Sequence, residues 1–141
     1  MKMQRGFSLV EALVVVIFIA ILVASSIPSF QNVILRSKVQ KTSDLIAQTI
    51  ITARSEALRR NIKTYMEVVS GNICIGTTSG GCDIRSDPLV SGVSVSATKL
   101  VLSPFYGVPS PAPATFTVTY SGVTQSVSVN RLGVVTVGAI S

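Results

Sequence analysis

The sequence predicts an α+β protein in which one long N-terminal α-helix packs on a small antiparallel β-sheet head. Three features of the chain support this prediction. It opens with an uninterrupted apolar stretch, continues with apolar residues at helical spacing, and ends with short alternating segments rich in Val and Thr. With 141 residues, it has room for one small domain and an appendage.

The composition narrows the class of protein. Apolar residues make up 48% of the chain and charged residues 13%, with a mean hydropathy of +0.59, which excludes an intrinsically disordered chain. There is no His, which excludes histidine catalysis, and two cysteines cannot supply a four-thiolate zinc site. The net charge of +6 favours anionic partners, although such a balance is common in membrane proteins. We therefore expect no enzymatic activity, no cofactor and no metal.

The first predicted element is an apolar helix over residues 7–28. It contains thirteen consecutive apolar residues, from Ala12 to Ala24. A helix of about 21 residues spans about 30 Å, the thickness of a bilayer core, so a retained transmembrane helix is predicted. A cleaved secretory signal is the rival interpretation, with Val23-Ala24-Ser25 as a weak cleavage site.

Glu11 is a charged residue near the start of this apolar segment. A carboxylate at membrane depth costs about 2–3 kcal/mol. Either Glu11 lies shallow and reaches the headgroups, or a cation neutralises it. The amine that cleavage just upstream would create is the obvious candidate for that cation.

The string from Arg5 to Glu11, RGFSLVE, followed by the apolar run, resembles the leader signal of type IV prepilins and type II secretion pseudopilins. The resemblance implies that prepilin peptidase cleaves after Gly6 and methylates the new terminal residue, Phe7. It also implies that Glu11 pairs with the Phe7 amine during assembly. Pro28 lies where many pilins carry a helix-bending proline, and a type IV pilin-like fold is implied for the whole chain.

The resemblance also implies an organisation and a location. Residues 1–6 would be the leader peptide, and the head would lie in the periplasm with the N-terminus in the cytoplasm. Charge alone does not fix this orientation, because basic residues flank the apolar helix on both sides: Lys2, Arg5, Arg36, Lys38 and Lys41. The protein is expected in the bacterial inner membrane and then at the tip of a pilus or pseudopilus.

Residues 29–63 are predicted to continue as an amphipathic helix into the head. No Gly or Pro occurs between residues 29 and 62. Apolar residues recur at helical spacing and define one stripe: Leu35, Val39, Ile46, Ile50, Ala53 and Ala57. Together with the apolar segment this gives one helix of about 50 residues, bent or locally loosened near Pro28.

Residues 64–141 are predicted to form a β-rich head, an antiparallel sheet of about six or seven strands packed on one face of the helix. The predicted strands cover residues 64–69, 73–76, 93–96, 99–102, 116–120, 123–129 and 134–137, with turns at Gly71-Asn72, Ala97-Thr98 and Ser121-Gly122. Residues 103–114 contain four prolines and are predicted to form a loop, since this segment cannot be an interior strand.

Cys74 and Cys82 flank a flexible IGTTSGG segment, and we predict a disulfide between them. It would stabilise the head by about 2.5 kcal/mol and fits an oxidising compartment such as the periplasm. Two free thiols are the main alternative. Redox chemistry is a weaker one, because the spacing is not C-x-x-C.

Within the family, the short chain and late sheet most resemble the GspH/FimT group of minor pilins and pseudopilins. The resemblance implies a structural subunit that primes or caps filament assembly. The implied partners are other major or minor pilins, prepilin peptidase, the inner-membrane assembly platform and, before assembly, membrane lipid.

Two alternative functions stay open. Some members of the FimT group bind DNA through a C-terminal G-R-x-R pattern, and this chain carries Asn130-Arg131-Leu132-Gly133 there, with a single arginine. Arg131 is therefore a candidate DNA contact, although a second basic group (Arg54, Arg59, Arg60 and Lys63) is ordinary for a helix end. A major, filament-forming pilin is the other alternative.

Overall fold

The computed structural model describes residues 8–96 and 99–141, with the backbone alone described at residues 25–29. Within that range the chain forms helix α1 followed by nine strands. Their bounds are α1 Leu9–Arg60, β1 Thr64–Val69, β2 Asn72–Gly76, β3 Arg85–Pro88, β4 Ser94–Val95, β5 Leu100–Leu102, β6 Pro109–Ser110, β7 Ala114–Tyr120, β8 Val123–Val129 and β9 Val135–Val137. The chain divides into two compact units, the first ending at Ile34 and the second comprising Leu35–Ser141.

The second unit, the head, is built around the C-terminal half of α1. The predicted apolar stripe is confirmed, because every member from Val39 onward is at most 1% exposed. The helix ends in a Schellman motif: Asn61 adopts a positive φ of 53°, and the Ile62 N–H donates to the Ala57 carbonyl over 3.3 Å. The Thr64 hydroxyl then donates to the Ala53 carbonyl (2.9 Å), which fixes the start of β1 against the helix.

The strands form two antiparallel sheets, in the orders β3-β2-β1-β5-β6 and β4-β7-β8-β9. The predicted α+β fold class with a long helix on an antiparallel β head is confirmed, and the described residues form nine strands in two sheets where the sequence predicted about six or seven in one. Sequence analysis missed β3 and β6, which are short edge strands containing Pro88 and Pro109. Proline lacks an N–H donor, so it is tolerated at a sheet edge. The predicted loop over residues 103–114 therefore holds the edge strand β6, and its last residue, Ala114, begins strand β7.

Two tight turns set the hairpin registers. Ser70 and Gly71 have φ values of 50° and 79°, and Ser121 and Gly122 have values of 46° and 84°. Two successive residues with positive φ are typical of the type I′ turn, whose twist matches that of paired strands. The first turn lies one residue earlier than predicted, so β2 already begins at Asn72. The predicted turn at Ala97-Thr98 lies outside the described residues.

One hydrophobic core joins the helix to both sheets. Strands β7 and β8 alternate as predicted, with Phe116 and Val127 fully buried and facing the core while the intervening threonines and serines point outward. Met66 and Leu100 contribute the core face of the five-stranded sheet. Burying a large apolar side chain stabilises by about 1.5–3 kcal/mol, so this cluster fixes the helix against both sheets.

Candidate functional site

The N-terminal site predicted from the sequence is described in part. Gly6 and Phe7, the predicted cleavage and methylation residues, lie outside the described residues. The Ser8 carbonyl accepts hydrogen bonds from the N–H groups of Glu11 (3.0 Å) and Ala12 (3.2 Å), which close the first turn of α1 around Glu11. The Glu11 side chain is exposed in this turn. A carboxylate is favourable there because the helix N-terminus carries a partial positive charge.

The described side chains that follow Glu11 in the first unit expose apolar surface. Every large apolar side chain between Leu13 and Val23 is at least 43% exposed. Within the described residues, no helix has a stretch long and apolar enough to cross a membrane. The backbone of α1 is helical through position 28, and the predicted bend at Pro28 stays a prediction.

The predicted disulfide is confirmed in the head. It joins Cys74, which is buried on β2, to Cys82, which is exposed, with the two Cα atoms 4.7 Å apart. Two carboxylates hold the enclosed loop. Asp83 accepts a hydrogen bond from the Thr77 N–H (2.9 Å), and Glu67 accepts one from the Gly80 N–H (3.0 Å).

The same contacts shift the pKa values of both acids. The Thr77 N–H holds the pKa of Asp83 below its ordinary value. Burial raises the pKa of Glu67, but hydrogen bonds from Ser79 and Lys99 together outweigh it, so the net shift is downward. The Ser79 hydroxyl lies 2.8 Å from Glu67, and the Lys99 ammonium lies 3.4 Å away. Both carboxylates are therefore structural groups that keep the loop closed.

The basic group at the end of α1 divides into two kinds of arginine. Arg59 and Arg60 donate to Glu56 over 2.8 Å and 2.6 Å, on the surface of their own helix. Hydrogen bonds from Arg59 and then Arg60 lower the pKa of Glu56. These pairs are the ordinary helix-end cations expected from the sequence.

Arg54 has a role that sequence analysis missed. Its Nη1 donates to the Gly133 carbonyl (3.4 Å), and its Nη2 donates to the Tyr106 carbonyl (3.3 Å). A Cβ atom at Gly107 would lie 2.6 Å from the Arg54 Cγ, and one at Gly133 would lie 2.8 Å from its Nη1. The Arg54 side chain thus fills the space between two glycines and joins the helix to two loops, residues 103–108 and 130–134.

Arg131, the candidate DNA contact, lies exposed in the second of these loops. The loop brings it to the side of the head where Arg54 lies, but the guanidinium of Arg54 already bonds two backbone carbonyls. Phosphate binding scales with the number of cations that a surface presents. Arg54, Arg59 and Arg60 already donate to acceptors of their own chain, which reduces the basic surface available to a nucleic acid.

A shallow groove of about 360 Å³ lies beside β1, β5 and β6. Lys63, Tyr65, Lys99, Ser103 and Ser110 are among the side chains that line it. The Lys99 ammonium lies 5.1 Å from the centre of the Tyr65 ring, which covers one face of that ring. The lining holds amines and hydroxyls but neither an imidazole nor a carboxylate.

Comparison with known proteins decides the family. A family model described as type II transport protein GspH matches residues 42–133, about two thirds of the chain. The chain belongs to the GspH family. The GspH match begins within α1 and extends through the disulfide loop and strands β1 to β8, ending at Gly133 in the loop that Arg54 contacts.

Solved structures show the same fold as this GspH-family chain. Two crystal structures of the type IV minor pilin FimU from Pseudomonas aeruginosa (strain PAO1) match it, one in space group P21 and one in P65. The first is 17% identical, covers 74% of this chain and 90% of the FimU chain, and has a TM-score of 0.63. The second is 16% identical, covers 71% and 92%, and has a TM-score of 0.61.

Family and fold together identify the class of protein. The GspH-family chain is a minor pilin or pseudopilin of the type IV pilus and type II secretion family, as the sequence resemblance implied. Such proteins are structural subunits rather than enzymes, and they associate with other pilins.

Proposed function

We propose that this GspH-family chain primes or caps the assembly of a type IV pilus or a type II secretion pseudopilus. The observation that carries the proposal is the first unit of the structure. Its described part is a helix that exposes apolar side chains along its length and carries one carboxylate, Glu11, in the first turn. A head with its own closed core does not need such a helix for folding, but a bundle of subunits does.

The proposal assigns a role to each segment of the chain. Residues 1–6 are the leader peptide, which prepilin peptidase removes by cutting between Gly6 and Phe7 before methylating Phe7. Residues 7–28 form the transmembrane and assembly helix, and residues 29–63 continue as an amphipathic helix with a bend near Pro28. Residues 64–141 form the β-rich part of the head, and the head lies in the periplasm after insertion in the inner membrane.

In this account Glu11 neutralises the Phe7 amine of a neighbouring subunit. Before assembly, lipid surrounds the apolar helix and the exposed carboxylate can reach the headgroups. When the assembly platform moves the subunit into the filament, neighbouring helices replace the lipid. An ion pair then satisfies both charges, whereas removal of one partner leaves a buried charge, which costs about 3–5 kcal/mol.

Two features favour this role over DNA uptake as the main function. Arg54, Arg59 and Arg60 already donate to acceptors within the head. Arg131 also stands alone in the position where a G-R-x-R pattern would supply two arginines.

Intact mass spectrometry of the full chain extracted from the membrane tests the proposal. The expected mass lacks residues 1–6 and carries one additional methyl group. A Gly6→Leu variant is the control, because a bulky side chain at the cut should leave the leader attached. A mature N-terminus after Ala24 or Ser26 would instead show an ordinary secretory signal and overturn the proposal.

A further inference from the structure

The head carries an exposed apolar surface that its fold does not require. Three of its side chains are almost fully accessible: Tyr106 is 85% exposed, Leu132 is 76% exposed and Phe105 is 72% exposed. Ile51, Leu58 and Val134 are also large, apolar and exposed. We call these six residues the aromatic patch. Apolar clusters of this kind on a soluble domain commonly mark interaction sites.

The members of the aromatic patch are brought together by Arg54. Ile51 and Leu58 lie three residues before and four residues after Arg54 on α1, and so on the same side of the helix. The two guanidinium bonds of Arg54 hold the backbone of Tyr106 and of Gly133 against that side. The two loops therefore lie beside this side of the helix.

Hydrogen bonds make both loops rigid. The Asn130 side-chain oxygen accepts from the N–H groups of Leu132 and Val134, both over 2.9 Å. The Ser103 N–H donates to the Val108 carbonyl (3.0 Å), which closes the other loop. Side chains on a rigid backbone lose little conformational entropy on binding, so they are effective anchors for a partner.

We propose that the aromatic patch is the docking surface for a different pilin-type subunit, one with an apolar contact surface bordered by unpaired carboxylates. This inference rests on the proposed function, since it names the partner chemistry of a filament subunit. Two of its three most exposed side chains, Phe105 and Tyr106, are aromatic, and the exposed Arg131 directly precedes Leu132 in the chain. Interfaces commonly combine aromatic anchors with a charged rim of this kind.

Charge argues against a second copy of this chain as the occupant. Each of the five carboxylates of the head already accepts a hydrogen bond from a group in its own chain: Asp44, Glu56, Glu67, Asp83 and Asp87. Three of these carboxylates, Glu56, Glu67 and Asp87, are also ion-paired within the chain, and a symmetric contact between two copies would place the two Arg131 side chains near each other. A lipid surface is disfavoured as well, because such contacts need several free cations and Arg54 is already bonded.

Photo-crosslinking in cells that assemble the filament tests this inference. The full chain carries benzoylphenylalanine in place of Tyr106 or of Leu132, and a control carries it at Thr117, which is exposed on β7. We expect both patch positions to give an adduct with the same second pilin-type subunit, at a peptide that contains Asp or Glu. Thr117 should not give that adduct, and Arg131→Glu should lower its yield about tenfold.

Three results would overturn the inference: adducts that join two copies of this chain, adducts with lipid or DNA, or equal adduct yields at Tyr106 and Thr117. The filament fraction separates this inference from the proposed function. If the chain is present in sheared filaments but gives none of the expected adducts, the docking surface is wrong and the subunit role stands. If the chain is absent from the filaments, both are wrong.

Discussion

Replacing Arg54 by alanine should open the contact between α1 and the two loops that form the aromatic patch. The guanidinium bonds the Tyr106 and Gly133 carbonyls over 3.3 and 3.4 Å, and its stem packs against Gly107. Arg59→Ala is the matched control, because Arg59 lies on the same helix and pairs only with Glu56 among the interactions described. The two variants change helix propensity equally, so that effect cancels in the comparison.

The expected loss follows from the geometry. A hydrogen bond from a charged donor contributes about 1.5–3 kcal/mol when it is short and buried. Both Arg54 bonds are long and the side chain is half-buried, so about 0.5–1 kcal/mol each is expected, or about 1–2 kcal/mol for the pair. Arg59→Ala removes a surface ion pair and should cost less than about 0.5 kcal/mol. Arg54→Lys should fall between them, since one ammonium cannot take the place of the planar fork.

This difference can be measured by urea unfolding of the full chain in a non-ionic detergent, with the near-ultraviolet circular dichroism of the three tyrosines as the signal. The Arg54→Ala midpoint should fall by about 1 M relative to Arg59→Ala. Hydrogen exchange should also accelerate in residues 103–108 and 130–134, which the Arg54 bonds hold. Equal midpoints and unchanged exchange in both loops would refute the role assigned to Arg54.

Three further outcomes are expected of the head. Replacing Cys74 and Cys82 by serine should lower the free energy of unfolding by about 2.5 kcal/mol, measured by urea unfolding; equal stability with and without reductant in the parent chain would contradict this. Folding lowers the pKa values of Glu67 and Asp83, so the ionised carboxylates stabilise the folded head. This contribution should be complete when the pH is above the ordinary pKa values of 4.5 and 3.8, and it should disappear as the pH falls through the lower pKa values of the folded state. Urea midpoints measured against pH should show this, and Glu67→Gln should flatten the profile. Gly107→Ala should lower the free energy of unfolding by at least about 1 kcal/mol, because φ at this position is 61° and the added Cβ would displace the Arg54 side chain. Gly80→Ala is the control: its φ is also positive, but there is open space around it, so only the backbone strain should appear.

Local periodicity was sufficient to predict much of the fold. Strands β1 and β8 lie where the alternation of apolar and polar residues places them, and the buried stripe of α1 follows the predicted helical spacing. The Cys74–Cys82 pairing was predictable because the two residues are close in sequence and the segment between them is flexible. These features depend on residues that are near one another in the chain.

The parts that sequence reasoning missed depend on distant residues. Strand β3 contains Arg85, Asp87 and Pro88, and it is a strand because β2 supplies its hydrogen bonds. Likewise, Arg54 donates hydrogen bonds to carbonyls 52 and 79 residues further along the chain, so nothing in its local sequence distinguishes its role from that of Arg59. The glycines at positions 107 and 133 were the available signal, since both leave room for that side chain.

The subunit role is tested most directly by measuring how much of a Glu11→Gln variant is present in sheared filaments or pseudopili. The ratio of processed to unprocessed variant is measured in the same cells. The peptidase is proposed to recognise the leader and Gly6, so processing should match that of the parent chain. The head core begins at Val39 and should stay folded. We expect normal processing with little or no Glu11→Gln protein in the filaments, because the Phe7 amine of a neighbour would be buried without a counter-charge. Incorporation of Glu11→Gln at the parent level would contradict the proposed pairing.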